Sequence, residues 1–172
     1  MVVSNTSPLV YLAALGDFTL LHELFSEIVI PRAVFHEIAI GGAGLPVAVA
    51  VKEASVSWLT VKEVGSASQA DRLQQAGLHP GEAEAIVLAT EVHSRALLMD
   101  DRDGIQIAAG SGVNVIRTPG IYRLAKGGGS YQRSARSSIN SDRRGSGFAT
   151  STTGPSWQAS ENSEAPRQHR HH

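Results

Sequence analysis

Short apolar runs and longer segments with helical periodicity take turns along the first 126 residues. Runs that are apolar throughout, such as residues 28–31, are typical of strands buried on both faces of a parallel sheet. Segments in which apolar residues recur every three or four positions predict helices that pack on such a sheet. The alternation predicts a three-layer α/β/α sandwich with a mostly parallel sheet over residues 1–126. The predicted strands are residues 1–5, 27–31, 58–64, 95–99 and 113–116.

A helix with several acids is predicted from residue 79, and its glutamates fall on different sides. At 100° per residue, Glu82 lies within the apolar face that includes Ala85 and Ile86, whereas Glu84 lies on the other side. A carboxylate that points toward a core is costly unless a cation meets it. We therefore expect Glu82 to be a metal ligand and Glu84 to be a solvated charge.

The next predicted strand ends on Asp100 and Asp101, and Asp103 follows two residues later. Ligands of α/β sheets bind at the carboxyl ends of strands. Three carboxylates within four positions repel one another unless a turn spreads them or a divalent ion neutralises them, and oxygen ligands suit Mg²⁺ or Mn²⁺. The alternative is a solvated turn in which Asp103 caps the following helix. A strand changes face at each residue, so we expect only one of Asp100 and Asp101 to enter a pocket.

Two further candidates lie near the start of the chain. Asn5 ends the first predicted strand, and its amide oxygen can bind a hard cation without supplying charge. Thr6 and Ser7 follow, and they either belong to the site or simply cap the next helix, with Ser7 as the predicted N-cap. Glu37 shares a side of its helix with Ala33 and Ile40, which predicts a second acid on a core-facing surface.

The composition narrows the class of protein. Hydrophobic residues make up 42% of the 172 residues, enough for the core of one domain, and there are no cysteines, which excludes disulfides and thiolate chemistry. No apolar run is long enough to span a bilayer and no signal peptide is recognisable, so we expect a cytoplasmic protein with no membrane association. Residues 1–126 hold nine Lys and Arg against thirteen Asp and Glu, a net charge of −4. This balance argues against a broad basic face for nucleic acid.

Four segments, in this order and spacing, resemble the PIN-domain ribonucleases, and in particular the VapC-like toxins of type II toxin-antitoxin pairs. The segments are VSNTSPLVYLAALGDFTLLHELF, VIPRAVFHEI, HPGEAEAIVLA and LLMDDRDG. The resemblance covers about residues 2–126. It implies a PIN-like fold with an acidic pocket that binds Mg²⁺ or Mn²⁺.

The resemblance also implies an activity, partners and site residues. The activity is metal-dependent endonucleolytic cleavage of RNA, the usual partner is a small cognate antitoxin protein, and such proteins are often homodimers. Matched residue by residue, the catalytic and metal-binding positions are Asn5, Glu37, Glu82, and Asp100 or Asp101, with Thr6 or Ser7 to orient a water.

The amide at Asn5 stands where most PIN domains have an aspartate, so a second function is open. The chain is then a catalytically weakened PIN-like module that binds a partner or RNA without cleaving it. A third interpretation is a phosphate-handling α/β domain in which Asp100 or Asp101 accepts a phosphoryl group and Thr118 assists.

From residue 127 the sequence changes to Gly, Ser, Arg, Thr and Asn without apolar periodicity. By composition, residues 127–172 are predicted to be a low-complexity, disordered tail. Their net charge is +3, from six basic and three acidic residues. We consider two origins for this tail: a basic arm that touches RNA, or a segment translated out of frame.

Overall fold

A computed structural model describes residues 1–127 of the chain. Its five strands form one sheet in which every neighbouring pair is parallel, in the order β3-β2-β1-β4-β5. The predicted parallel α/β architecture is therefore confirmed. The strands are β1 (Val2–Ser4), β2 (Ile28–Pro31), β3 (Leu59–Lys62), β4 (Ala96–Leu98) and β5 (Val115–Ile116).

Helices connect the strands and cover both faces of the sheet, as the helical periodicity predicts. A π-helical turn, Glu37–Gly41, continues α3. The helices of the described residues are α1 (Thr6–Ala14), α2 (Leu20–Phe25), α3 (Arg32–His36), α4 (Pro46–Ala54), α5 (Ala67–Gln75), α6 (Pro80–Glu91), α7 (Arg102–Gly110) and α8 (Thr118–Lys126).

Two hydrophobic cores lie on opposite sides of the sheet because successive strand residues point to opposite faces. Val2 packs in the core that includes Leu9 of α1 and Val51 of α4. Val3 packs in the other core, with Leu88 of α6 and Ala108 of α7. These cores make the fold a three-layer α/β/α sandwich.

The burial of each strand follows its position in the sheet. All four residues of β2 are buried, as expected for a central parallel strand, whereas β3 lies at the edge with only Leu59 buried. The alternating sequence of residues 58–64 indicates this half-buried edge strand. The open edge on the other side of the sheet is β5, whose two residues are only partly buried.

The prediction that Ser7 is the N-cap of the first helix is wrong. Asn5 occupies the N-cap position of α1, because the helix begins at Thr6, two residues earlier than predicted. Asp17 lies between α1 and α2, and its carboxylate accepts a 2.7 Å hydrogen bond from the Tyr122 hydroxyl of α8.

The strand order reverses direction between β1 and β4, which are hydrogen-bonded neighbours. The carboxyl ends of two strands at such a switch point flank the crevice in which α/β sheets bind ligands. Asn5 follows β1, and Asp100 and Asp101 follow β4, so the topology brings these residues to the same edge.

Within residues 1–127, no helix has the length and apolar character needed to cross a membrane. The predicted tail, from residue 128 onward, lies outside the described residues.

Candidate active site at the switch point of the sheet

Asn5 is fixed at the point where β1 and β4 separate. Its backbone N–H donates a 3.0 Å hydrogen bond to the Leu98 carbonyl at the end of β4. Its side chain is 1% exposed, and Oδ1 has no hydrogen-bond partner among the described residues. A buried acceptor without a partner costs free energy, and such groups call for an explanation such as an ion or a water.

Thr6 and Glu37 meet although they are far apart in sequence. Thr6 Oγ1 donates a 2.6 Å hydrogen bond to Glu37 Oε2, so the start of α1 holds the carboxylate of the π-helical turn. The prediction that Glu37 lies on a core-facing side is wrong: Glu37 is exposed, and so is Ile40, at 61%. The π-helical turn changes the angle between successive residues, so a count at 100° per residue misplaces them.

Gly81, in the first turn of α6, leaves the space that the Thr6–Glu37 pair occupies. A Cβ at this position would lie 2.9 Å from Glu37 Oε2 and 3.4 Å from Thr6 Oγ1. The former distance is closer than Cβ atoms approach oxygen in proteins. The absence of a side chain at residue 81 therefore permits the observed position of the Glu37 carboxylate.

A cleft of about 230 Å³ lies between the N-termini of α1 and α6. The structure thus brings together five of the residues predicted from sequence, and it adds His79, which sequence reasoning did not select. The sequence signal for His79 is that it immediately precedes Pro80, at the predicted start of the helix that carries Glu82. The lining residues are Asn5, Thr6, Ser7, Glu37, His79 and Glu82.

Glu82 reaches the cleft from the first turn of α6 and also stabilises that turn. Its Oε2 accepts a 3.0 Å hydrogen bond from the backbone N–H of His79. This is the side-chain half of a capping box, and it places the carboxylate at the positive end of the helix dipole. Glu82 therefore has a structural role in addition to its place in the cleft.

Glu84 is not the solvated charge that the helical pattern predicts. Its Oε2 accepts a 2.9 Å hydrogen bond from the Ala33 backbone N–H, so it caps the first turn of α3 from α6. The reason is the close packing of α3 against α6, which places an uncapped helix N-terminus opposite the polar side of α6. The helical pattern of one segment contains no information on this neighbour.

Asp100 and Asp101 have separate hydrogen-bond partners. Asp100 Oδ1 accepts a 2.8 Å hydrogen bond from the Thr118 N–H, and Asp100 Oδ2 accepts a 2.6 Å bond from the Thr118 hydroxyl. Asp101 Oδ1 accepts a 2.7 Å bond from the Gly104 N–H and is the N-cap of α7. Asp103 is exposed in the first turn of α7 and does not cap it.

The aspartates at the end of β4 do not line the cleft that contains Asn5. Within residues 1–127, no group of three or more His, Asp or Glu side chains is arranged to hold a metal ion. The donor chemistry nevertheless fits a hard divalent cation, because Asn5, whose buried Oδ1 has no partner among the described residues, lines the same cleft as Glu37 and Glu82. Asn5 supplies such an ion with an oxygen but with no charge.

A doubly wound parallel sheet with acidic and amide side chains at its switch point defines a class of α/β domain that handles charged ligands. The chain belongs to the PIN domain family: residues 1–148 match the family DUF3368, described as a PIN domain. PIN domains are generally nucleases and typically use divalent metal ions.

The fold is also similar to that of a solved structure, a PilT N-terminus domain protein, SSO1118, from the hyperthermophilic archaeon Sulfolobus solfataricus P2. The two chains are 21% identical with a TM-score of 0.52, and the match covers 70% of this chain and 88% of the other. No curated protein matches the sequence significantly. The similarity at this identity supports the PIN fold.

Proposed function

We propose that the protein is a metal-dependent endoribonuclease that cleaves RNA with Mg²⁺ or Mn²⁺. The observation that carries the proposal is the Asn5 amide oxygen, buried and without a partner, in a cleft that Glu37 and Glu82 also line. A divalent ion would satisfy this oxygen and offset the two negative charges. Membership of a family of nucleases supports the type of reaction.

The residues that would hold the ion in this cleft are Asn5, Glu37 and Glu82. Asp100, which lies outside the cleft at the end of the neighbouring strand β4, would be a further ligand. When bound, a divalent ion activates a water and stabilises negative charge on the scissile phosphate. Thr6 orients Glu37 through its hydroxyl hydrogen, and Thr118 fixes both oxygens of Asp100. Ser7 lines the same cleft with a second hydroxyl that can accept or donate a hydrogen bond to a substrate water.

Asp101 has a supporting part in this mechanism. Its carboxylate caps α7 through the Gly104 N–H and so fixes the start of the segment that follows Asp100. We assign it a structural role, while Asp100 is the ligand that β4 supplies. Asp103, exposed in the first turn of α7, contributes negative charge to this edge of the sheet.

We further propose that the nuclease is the toxin of a toxin-antitoxin pair, with a small antitoxin as its protein partner and a homodimer as its own assembly. An apolar surface supports a protein partner: α1 and α4 pack together, and each exposes large hydrophobic side chains. Exposed apolar side chains on two helices in contact are typical of interaction sites. The residues that are more than half exposed there are Tyr11, Leu15, Leu45 and Val49.

An RNA cleavage assay with added Mn²⁺ tests the nuclease. The wild type is expected to cleave a structured RNA internally, and Glu37→Gln or Asp100→Asn should lower the rate at least about 100-fold. Glu53→Gln on α4 is the matched control, since Glu53 is exposed and lies outside the cleft. Absence of both cleavage and calorimetric Mn²⁺ binding in the wild type would refute the proposal.

A second candidate function is a PIN-like module that binds RNA or a partner without cleaving. The observation that favours it is the amide of Asn5, together with the lack of a three-acid group among residues 1–127. This candidate predicts that the wild type binds RNA but does not cut it, and that Asn5→Asp restores cleavage. Equal cleavage by wild type and Asn5→Asp would exclude it.

A further inference from the structure

A second cleft, of about 470 Å³, lies between β5 and α8 at the open edge of the sheet. It is separate from the cleft that contains Asn5, and no sequence motif points to it. Its lining combines two arginines with an apolar wall and includes no acidic side chain. The lining residues are Asn114, Val115, Ile116, Arg117, Pro119, Gly120, Arg123 and Leu124.

The positive charge of the two arginines in this cleft is not neutralised by an ion pair among the described residues. Arg117 and Arg123 are exposed, and neither forms an ion pair with another residue of the described chain. The rest of the domain is acidic, with a net charge of −4 over residues 1–126. Two unpaired guanidinium groups in an otherwise acidic domain constitute a local site for an anion, and guanidinium matches phosphate geometry well.

The apolar wall indicates what kind of anion fits. Val115, Ile116 and Leu124 are only partly buried and line the cleft beside the arginines. A single nucleic acid strand combines a charged backbone with apolar faces of bases and sugars, which suits such a lining. No aromatic side chain lines the cleft, so the binding should depend mainly on charge.

The cleft also joins the acidic edge of the sheet. Arg117 precedes Thr118, and Thr118 makes both hydrogen bonds to Asp100. A strand held by Arg117 would thus pass next to the carboxyl end of β4. This continuity connects a phosphate-binding surface to the place where cleavage is proposed.

We propose that the cleft between β5 and α8 binds the phosphate backbone of the RNA strand on one side of the cleaved bond, through Arg117 and Arg123. The inference rests on the proposed function for its substrate class. Residues 128–148 of this chain are a poorer occupant, because they carry four arginines and one aspartate and would bring like charge to the arginines. An acidic segment of a protein partner is the remaining competitor.

Fluorescence anisotropy with the full chain and a labelled single-stranded RNA, in EDTA so that cleavage is prevented, tests the inference. Arg117→Gln and Arg123→Gln should each weaken binding about fivefold and lower the slope of log affinity against log salt by about 0.7, and the double variant by about 1.4. Arg72→Gln on α5 is the control, since Arg72 is an exposed arginine away from this cleft. Circular dichroism checks that every variant remains folded.

Unchanged RNA affinity in the double variant would overturn the inference. This holds even if the affinity is unchanged because the rest of the chain occupies the cleft. Equal affinity and salt dependence for a polyglutamate peptide would also overturn it in favour of an acidic protein partner. The proposed function fails on a different measurement, namely if the wild type does not cleave RNA with Mn²⁺. In that case the anisotropy data still show whether RNA binds in this cleft. If cleavage occurs, the arginine variants should raise KM and leave kcat unchanged.

Discussion

Thr6 Oγ1 donates a hydrogen bond of 2.6 Å to Glu37 Oε2, and this bond joins the start of α1 to the π-helical turn after α3. It fixes a carboxylate that would otherwise move freely, because Glu37 is exposed. Among residues 1–127, the pair directly links two elements that line the cleft.

Removal of the Thr6 hydroxyl should therefore affect catalysis more than stability. Thr6→Val is expected to lower kcat about tenfold and to change the free energy of unfolding by less than about 1 kcal/mol, since the acceptor remains solvated. Steady-state kinetics and urea unfolding measure the two effects. Thr6→Ser keeps the hydroxyl and should retain most activity; a serine variant as slow as the valine variant would contradict this role.

A methyl group at residue 81 should displace the Glu37 carboxylate. Gly81→Ala places a Cβ 2.9 Å from Glu37 Oε2, so the carboxylate must leave its position beside Thr6, and we expect cleavage to slow by about an order of magnitude. Combination with Glu37→Asp, which shortens the side chain, should cost less than the sum of the single changes.

The control for this prediction is Gly110→Ala at the end of α7, where a Cβ would have no neighbour within 4 Å. That change should leave cleavage unaltered and slightly stabilise the helix, by up to about 1 kcal/mol. Strictly additive effects of Gly81→Ala and Glu37→Asp would show that Gly81 does not act through Glu37.

Asn5→Asp should lower the stability of the metal-free protein and raise its affinity for the metal ion. The introduced carboxyl is buried next to an already acidic cleft, so without metal the protein should lose about 1–3 kcal/mol of unfolding free energy. Mn²⁺ should restore this stability, because the ion neutralises the added charge. Thermal unfolding with and without Mn²⁺, together with Mn²⁺ calorimetry, measures both effects; a variant whose Tm responds to Mn²⁺ no more than the wild type does would exclude Asn5 as a ligand position.

Asp100 and Asp101 should differ in mutant phenotype. Asp101→Ala removes the N-cap of α7 and should cost about 1 kcal/mol of stability with little effect on the cleavage rate. Asp100→Ala should abolish cleavage, and it leaves both Thr118 donors without their acceptor. Chemical denaturation and cleavage rates separate the two roles, and the reverse pattern would assign the site to Asp101.

Alkaline pH should destabilise the contact between α8 and the end of α1. The hydrogen bond from the Tyr122 hydroxyl to Asp17 raises the pKa of Tyr122, with smaller contributions from burial and from the Asp17 charge. Because the folded state holds the proton more tightly than the unfolded state, this stability is present below pH 10 and is lost as the pH rises through the raised pKa. Tyr122→Phe should remove this part of the loss when unfolding is measured between pH 8 and 11; an unchanged pH dependence would contradict it.

The elements of the fold could be predicted from the sequence because their signals are local. The continuous apolar run of residues 28–31 and the alternating run of residues 58–64 distinguish a central strand from an edge strand, and the structure confirms both. The all-parallel order follows from helices placed between successive strands. These features depend on hydrophobic periodicity, which is visible within one segment of sequence without knowledge of its neighbours in the fold.

The partners of polar side chains could not be predicted, because they depend on elements far apart in sequence. Glu84 caps α3, and Asp17 accepts a bond from Tyr122; in each case the partner comes from another part of the chain. The exposure of Glu37, the first residue of a π-helical turn, is not predictable from a regular helical count. The types of residue in the site were predictable, but the contact between Thr6 and Glu37 required the tertiary structure.

The position of β1 in the centre of the sheet has a consequence for how the protein acquires its site during synthesis. β1 is translated before β4, yet the two strands pair, so the Asn5 N–H can bond the Leu98 carbonyl only once β4 is present. Parallel pairing of strands so distant in sequence forms slowly, since a long loop must close first. The cleft is thus completed only after β4 has been synthesised.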